Sequence, residues 1–320
     1  MGKIINFLIY HYVPSLGWNA SFLALFALSA LVHSYQAYRS RFWIFYPTLV
    51  LGAVVEVMGY AARVWSSQDV YKLDPFLMQI VLLGFAPVYF SAFVYIVLGM
   101  AINRIGQQYS VLTPKMYFYT FICADLVSLV LQAVGGGQAA SGAATGAPTQ
   151  TATNIMVAGI IFQLCTMAIF VGCGIDFAIR AARDKPWAFR VRRMASAQAT
   201  ATSMLTPTPS DTEKGAEIAG SDQGEQAELG KWRKIMAATF ISSTMILLRG
   251  ESLSGAWCLS SLPGFFRSVE LSQGWSGYLI SHEIYQAVLD GIPMVIAVGI
   301  FNLVHPGLIL GRKASWRGYY

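Results

Sequence analysis

Apolar residues gather into seven long stretches, over 15–38, 43–64, 76–102, 116–134, 155–178, 235–248 and 284–304. A bilayer core about 30 Å thick is crossed by about 20 predominantly apolar residues of helix. Six of the stretches meet that length, and the sixth in order, 235–248, is short. The pattern predicts an all-α, polytopic membrane protein with seven transmembrane helices.

Polar positions at the stretch ends refine the helices. Asp74-Pro75 and Thr113-Pro114 each set a capping side chain ahead of a proline suited to a first helical turn. Pro87 and Pro293 fall inside stretches, where each removes a backbone hydrogen bond and is expected to kink its helix. Such a kink survives in a membrane when a neighbour satisfies the freed carbonyl. A packing kink and a gating hinge are equally good readings of both prolines. The segment 135–153 is nearly all Gly, Ala, Ser, Thr and Gln and reads as a flexible external loop, although Gly135-Gly136-Gly137 would also let another backbone approach closely. Segment 195–230 is rich in Ser, Thr, Ala and Glu and reads as a disordered cytoplasmic linker. The organisation is therefore 1–194 for spans one to five, 195–230 for the linker, 231–305 for spans six and seven, and 306–320 for a cytoplasmic tail.

Charge adds orientation. Charged residues make up 12% of the chain, against about 25% in soluble proteins, so no polar domain of useful size stands outside the spans. Membrane-proximal Lys and Arg mark the cytoplasmic side. Arg39, Arg41, Arg104, Lys115, the run from Arg180 to Arg193, Lys231 to Lys234, and Arg312 to Arg317 fall on one side, with only Lys3 and Lys72 on the other. The N-terminus is expected outside and the C-terminus in the cytoplasm, and the first span is expected to be retained, because no signal-peptide layout precedes it. The net charge of +6 is thus a topology signal, and a nucleic-acid partner is not expected. The cysteines lack metal spacing, and Cys123, Cys165 and Cys173 read as buried, inert thiols. No metal or cofactor is expected.

Ionisable groups at membrane depth are costly and mark functional positions by default. Glu56 and Arg63 lie seven apart on one helical face, as do Asp125 and Gln132. Gln79, Gln163, Asp290 and Asn302 complete a polar seam through the bundle. His33, Arg63, Asp176 and His305 stand near span ends, where snorkelling or capping is the expected role. Glu56, Asp125 and Asp290 lie deeper and are the stronger candidates for substrate contact, against the plain alternative of interhelical glue.

These residues occur in an order that resembles one family, the fungal lipid-translocating exporters, also called RTA-like proteins. The matching pieces are Tyr12-x-Pro14-Ser15 with Asn19 and His33, Glu56-x-x-Gly59-Tyr60-x-x-Arg63, and Gln79-x-x-Leu82 with Ala86-Pro87. Asp125-x-x-Ser128-x-x-x-Gln132-x-x-Gly135 follows, then Phe266-Arg267-x-x-Glu270, His282-Glu283, Asp290-x-x-Pro293 and Asn302-x-x-His305-Pro306-Gly307. The resemblance implies seven helices, a plasma-membrane location, and movement or tolerance of sphingoid long-chain bases, phospholipids or sterol-like toxicants. One stretch departs from it. Excising 251–264 would join Arg249-Gly250 to Phe265-Phe266-Arg267 and lengthen the short sixth span. That segment reads as translated intron sequence in preference to an insertion that breaks the helix. Rejoined, Arg249, Arg267 and Glu270 would form a charged cluster at the outer helix end.

The expected function is translocation or export of lipids and amphiphiles, contributing to lipid-stress resistance. Glu56, Asp125, Gln132, Glu270 and Asp290 are the substrate-binding candidates, and Arg63, Pro87, Arg249, Arg267 and Pro293 the structural or gating ones. The alternative is a seven-helix sensor of lipid or membrane stress. An intramembrane hydrolase ranks last, because His33, His282, His305 and Asp125 are scattered rather than closely spaced; the chain is not expected to be an enzyme.

Overall fold

Apolar side chains cover the outside of this molecule while charged ones lie within. In the computed structural model, Leu28, Leu31, Val130 and Ile169 are all more than half exposed, whereas Glu56, Arg63, Asp125 and Asp290 are each 1% exposed. That inversion suits a protein whose solvent is hydrocarbon. The structure describes residues 14–70, 72–145, 147–204, 221–249 and 283–310. Arg267 and Glu270, the segment 251–264 and Cys258 lie outside them.

Helix α1 (Leu16–Ser40) starts at Ser15, whose hydroxyl accepts from the Trp18 N–H, and stops at Arg41, which is left-handed at φ 57°. The chain then passes a short 3₁₀ turn (Trp43–Phe45) and a π turn (Tyr46–Val50) into α2 (Leu51–Gln68). Helix α3 (Leu73–Ile105) ends at Gly106, whose φ of 143° suits glycine alone. Asp74 lies inside the first turn of α3 and Lys72 takes the cap position, so the expected Asp74 cap is shifted by the helix starting earlier. Thr113 behaves as expected: α4 (Pro114–Thr145) begins at the following proline, and the Thr113 hydroxyl accepts from Met116 N–H. Helix α5 (Gln150–Arg183) closes at left-handed Asp184 and leads to α6 (Ala188–Met204). Helix α7 (Ser221–Arg249) follows, then α8 (Glu283–Gln286), a second π turn (Ala287–Gly291), α9 (Ile292–Leu303) and the one-turn α10 (Pro306–Ile309).

Among the described residues, six helical segments are long and apolar enough to cross a membrane: Leu16–Ser40, Trp43–Gln68, Asp74–Ile105, Pro114–Ala139, Gln150–Ala182 and Ala287–Ile309. The chain is an all-helical, multi-pass membrane protein. The stretch 235–248 sits on α7, which is not one of the six but packs within the bundle against α3, α5 and α9. Helix α3 is the central element, with 61% of its span enclosed against 28% for α4 and for α5.

The segment 135–153 departs from expectation. It is helix rather than loop through Thr145, and α5 resumes at Gln150. The glycines explain it. A Cβ on Gly135 would stand 2.5 Å from the Met156 backbone nitrogen and 2.7 Å from the Ala152 carbonyl, and one on Gly159 would stand 2.9 Å from the Ser128 carbonyl. Bare glycine lets α4 and α5 approach backbone to backbone, the small-residue packing that joins helices in lipid. Helices α6 and α7 likewise occupy 195–204 and 221–230, both flanks of the segment read as linker. Cys123 and Cys165 are exposed on the outside of the bundle, not buried as expected.

Candidate functional site

Pro87 lies inside α3 and is buried, and it leaves the Leu83 carbonyl, four residues earlier, without its helical donor. The Arg249 guanidinium fills that place, donating through Nη2 to Leu83 O. The same guanidinium pairs through Nε with Asp290 and stands 3.6 Å from Glu56 Oε1 through Nη1. Asp290 is brought there by the π turn Ala287–Gly291, which widens the helix just before buried Pro293. Three sequence candidates, Glu56, Arg249 and Asp290, therefore meet at the join of α2, α3, α7 and α9, with Pro87 and Pro293 about one turn along from Leu83 and Asp290. Arg249 is drawn into the bundle interior by these partners; its expected companions Arg267 and Glu270 lie outside the described residues.

A second cluster joins α1, α2, α3 and α8. Arg63 donates through Nε to Asn19 Oδ1 at 2.6 Å and through Nη1 to Gln79 Oε1 at 2.8 Å, and reaches Glu283 Oε1 at 3.3 Å. Glu283 also accepts from the Ser15 N–H and from Asn19 Nδ2. Snorkelling or capping is the role expected of Arg63 from its place near a span end. Arg63 is instead enclosed, because three elements supply acceptors for its whole fork. Trp18, Phe22 and Tyr60 line a small cleft beside this cluster. Glu283 and Asn19 are the residues that sequence reasoning passed over as site members, although both stood in the motif that carried the resemblance.

Asp125 has a different environment. Its Oδ2 accepts from Ser91 Oγ at 2.7 Å and from Tyr95 Oη at 3.0 Å, both on α3, while Oδ1 has no hydrogen-bond partner among the described residues. Tyr95 packs edge-on against Phe170 and tilted against Phe121, so the carboxylate abuts an aromatic wall. Two turns along α4, Gln132 donates to Gln163 on α5 at 2.9 Å. Glu56 and Asp290 share the Arg249 cation, whereas Asp125 accepts from the Ser91 and Tyr95 hydroxyls.

His33, Asn302 and His305 collect where α1 meets α9 and α10, and Asp176 stands apart on α5. His33 is fully enclosed, with Nε2 on the Val298 carbonyl, and does not snorkel as expected. Gln36 donates to the Asn302 carbonyl, and Asn302 to Ser29. His305 caps α10 by accepting from Leu308 N–H, which is the capping role expected of it. Asp176 pairs with Arg180 one turn on and accepts from the Trp187 indole, which lies under the Arg180 guanidinium at 3.6 Å. Beyond the spans, donation to Asp184 holds the Tyr109 hydroxyl above its usual pKa, and burial holds Arg190 below its own. Arg190 donates to the Ser110 and Val111 carbonyls and so fastens α6 to the α3–α4 turn. No three metal-ligating side chains come together among the described residues.

Comparison with known proteins agrees with the resemblance. Residues 49–313 match the model of the family described as RTA1 like protein. The sphingoid long-chain base transporter RSB1 of Saccharomyces cerevisiae is 30% identical over 305 residues, covering 95% of this chain and 75% of the relative. Protein RTA1 of the same organism is 25% identical over 326 residues, covering 94% and 86%, and Protein RTM1 is 26% identical over 266 residues, covering 82% and 67%. No solved structure matches.

Proposed function

Because the chain belongs to the RTA1-like protein family, we propose that it translocates or exports amphiphilic lipids, with sphingoid long-chain bases as the first candidates and phospholipids and sterol-like toxicants as further ones. The observation that carries this reading is Asp125, a carboxylate enclosed within a span and met by two neutral hydroxyls. A carboxylate at that depth attracts a cation strongly, and the amine of a sphingoid base supplies one. The aromatic side chains beside it suit a lipid ammonium as well. Gln132 extends the polar line along α4 for hydroxyl groups of the head. The Arg249 centre, with Glu56 and Asp290, is read as the structural or gating element, since its charges already face one another. In this reading α7 carries the seventh span, the N-terminus lies outside, and the protein resides in the plasma membrane.

The test is reconstitution in liposomes with labelled sphingoid base and labelled phospholipid. The wild-type protein is expected to move the base between leaflets. Asp125→Asn is expected to abolish that movement while remaining monodisperse and inserted. Unchanged movement in a well-folded Asp125→Asn protein refutes the assignment.

A further inference from the structure

Resting on the reading of Asp125 as the head-group site, we infer that lipid amine and proton exchange on this one carboxylate, so that the protein is a proton–amine antiporter. The groups that meet Asp125 are neutral. Helix α3 contributes the Ser91 and Tyr95 hydroxyls, and Tyr95 in turn packs against Phe121 of α4 and against Met167 and Phe170 of α5. Tyr95 is the titratable group in contact, and none of these is a cation. Nor does the carboxylate form an ion pair among the described residues, which separates it from Glu56 and Asp290 at Arg249 and from Glu283 at Arg63.

A carboxylate enclosed by hydrocarbon and aromatic rings is stable only when something neutralises it. At Asp125 the choices are a proton or an arriving ammonium, and one position cannot hold both. Oδ2 is already taken by the Ser91 and Tyr95 hydroxyls, which leaves Oδ1 to carry the proton or to meet the amine. The exchange balances simply. The protonated carboxyl loses its proton to water as the lipid ammonium enters and forms the carboxylate–ammonium pair. A proton arriving from the opposite side restores the carboxyl and frees the ammonium. A proton gradient across the membrane drives the exchange.

The experiment is infrared difference spectroscopy on the purified full chain in nanodiscs, with sphingosine as the added probe and ceramide, which lacks the amine, as the control. Sphingosine is expected to remove the carbonyl stretch of a protonated carboxyl, and ceramide to leave it. The band should be missing from Asp125→Asn and displaced in frequency in Tyr95→Phe, which assigns it even if the first variant folds poorly. Apparent affinity for sphingosine should weaken about tenfold for each pH unit below the titration of that band. Sphingosine binding with no loss of a protonated carboxyl overturns the exchange and leaves lipid translocation standing. Absence of sphingosine binding overturns both.

Discussion

Replacing Gly135 by alanine tests the α4–α5 contact with its own internal control. A methyl there would sit 2.5 Å from the Met156 backbone nitrogen, about 0.9 Å inside the 3.4 Å at which ordinary contact begins, and the obstacle is backbone, which cannot rotate away. The helices must part, and overpacking of this kind costs about 1–3 kcal/mol. Against it stands the gain of about 0.8–1.0 kcal/mol when alanine replaces glycine in a helix. Gly137, on the same helix, has nothing within 4 Å of its added Cβ. Gly137→Ala should therefore collect the helical gain alone. Because that gain is common to both, the gap between the two variants isolates the clash at about 1–3 kcal/mol. Unfolding of the two proteins in identical detergent, followed by circular dichroism, measures it. Equal stabilities, or a more stable Gly135→Ala, would refute the backbone-to-backbone packing.

Three further outcomes are expected. Arg63→Gln leaves Glu283 without its guanidinium and should cost about 3–5 kcal/mol, while Arg63→Gln/Glu283→Gln together should cost clearly less than the sum of the single changes in a double-mutant cycle. Arg249→Met should destabilise by about 3–5 kcal/mol, and Arg249→Lys should recover only part of it, since a single ammonium cannot serve Leu83, Asp290 and Glu56 in the fork geometry. Arg190→Ala removes two charge-assisted bonds worth about 1.5–3 kcal/mol each. Its effect should be local: faster tryptic cleavage at Arg183, with the melting temperature shifted less than by Arg63→Gln.

Hydropathy carried most of the architecture, because the length of an apolar run is set by the membrane itself and needs no tertiary information. The same rule explains why Glu56, Asp125 and Asp290 stood out. What stayed hidden depends on contacts between distant parts of the chain. Composition made 135–153 resemble a loop, yet glycine next to a facing helix in lipid is a packing residue, and Met156 and Ala152 decide which it is. Arg63 looked interfacial from its place in the span, and only the convergence of Asn19, Gln79 and Glu283 encloses it. The common spacing of Glu56 and Arg63 was right about their shared face but silent on their separate partners. The π turn before Pro293 has no signature beyond the proline, so the inward placement of Asp290 could be inferred from its cost and not from its geometry.

The bond from Arg249 to the Leu83 carbonyl has a consequence for how the chain is made. Synthesis runs from the N-terminus, so α1 to α5 are in the membrane before α7 emerges. Throughout that interval the carbonyl that Pro87 releases lacks the donor that will later fill it, and Glu56 lacks its guanidinium. Arg249 arrives as a late keystone for helices laid down long before. A nascent protein halted ahead of α7, or one in which Arg249 is replaced, would hold a polar defect at its centre, the kind of flaw that membrane quality control detects and removes.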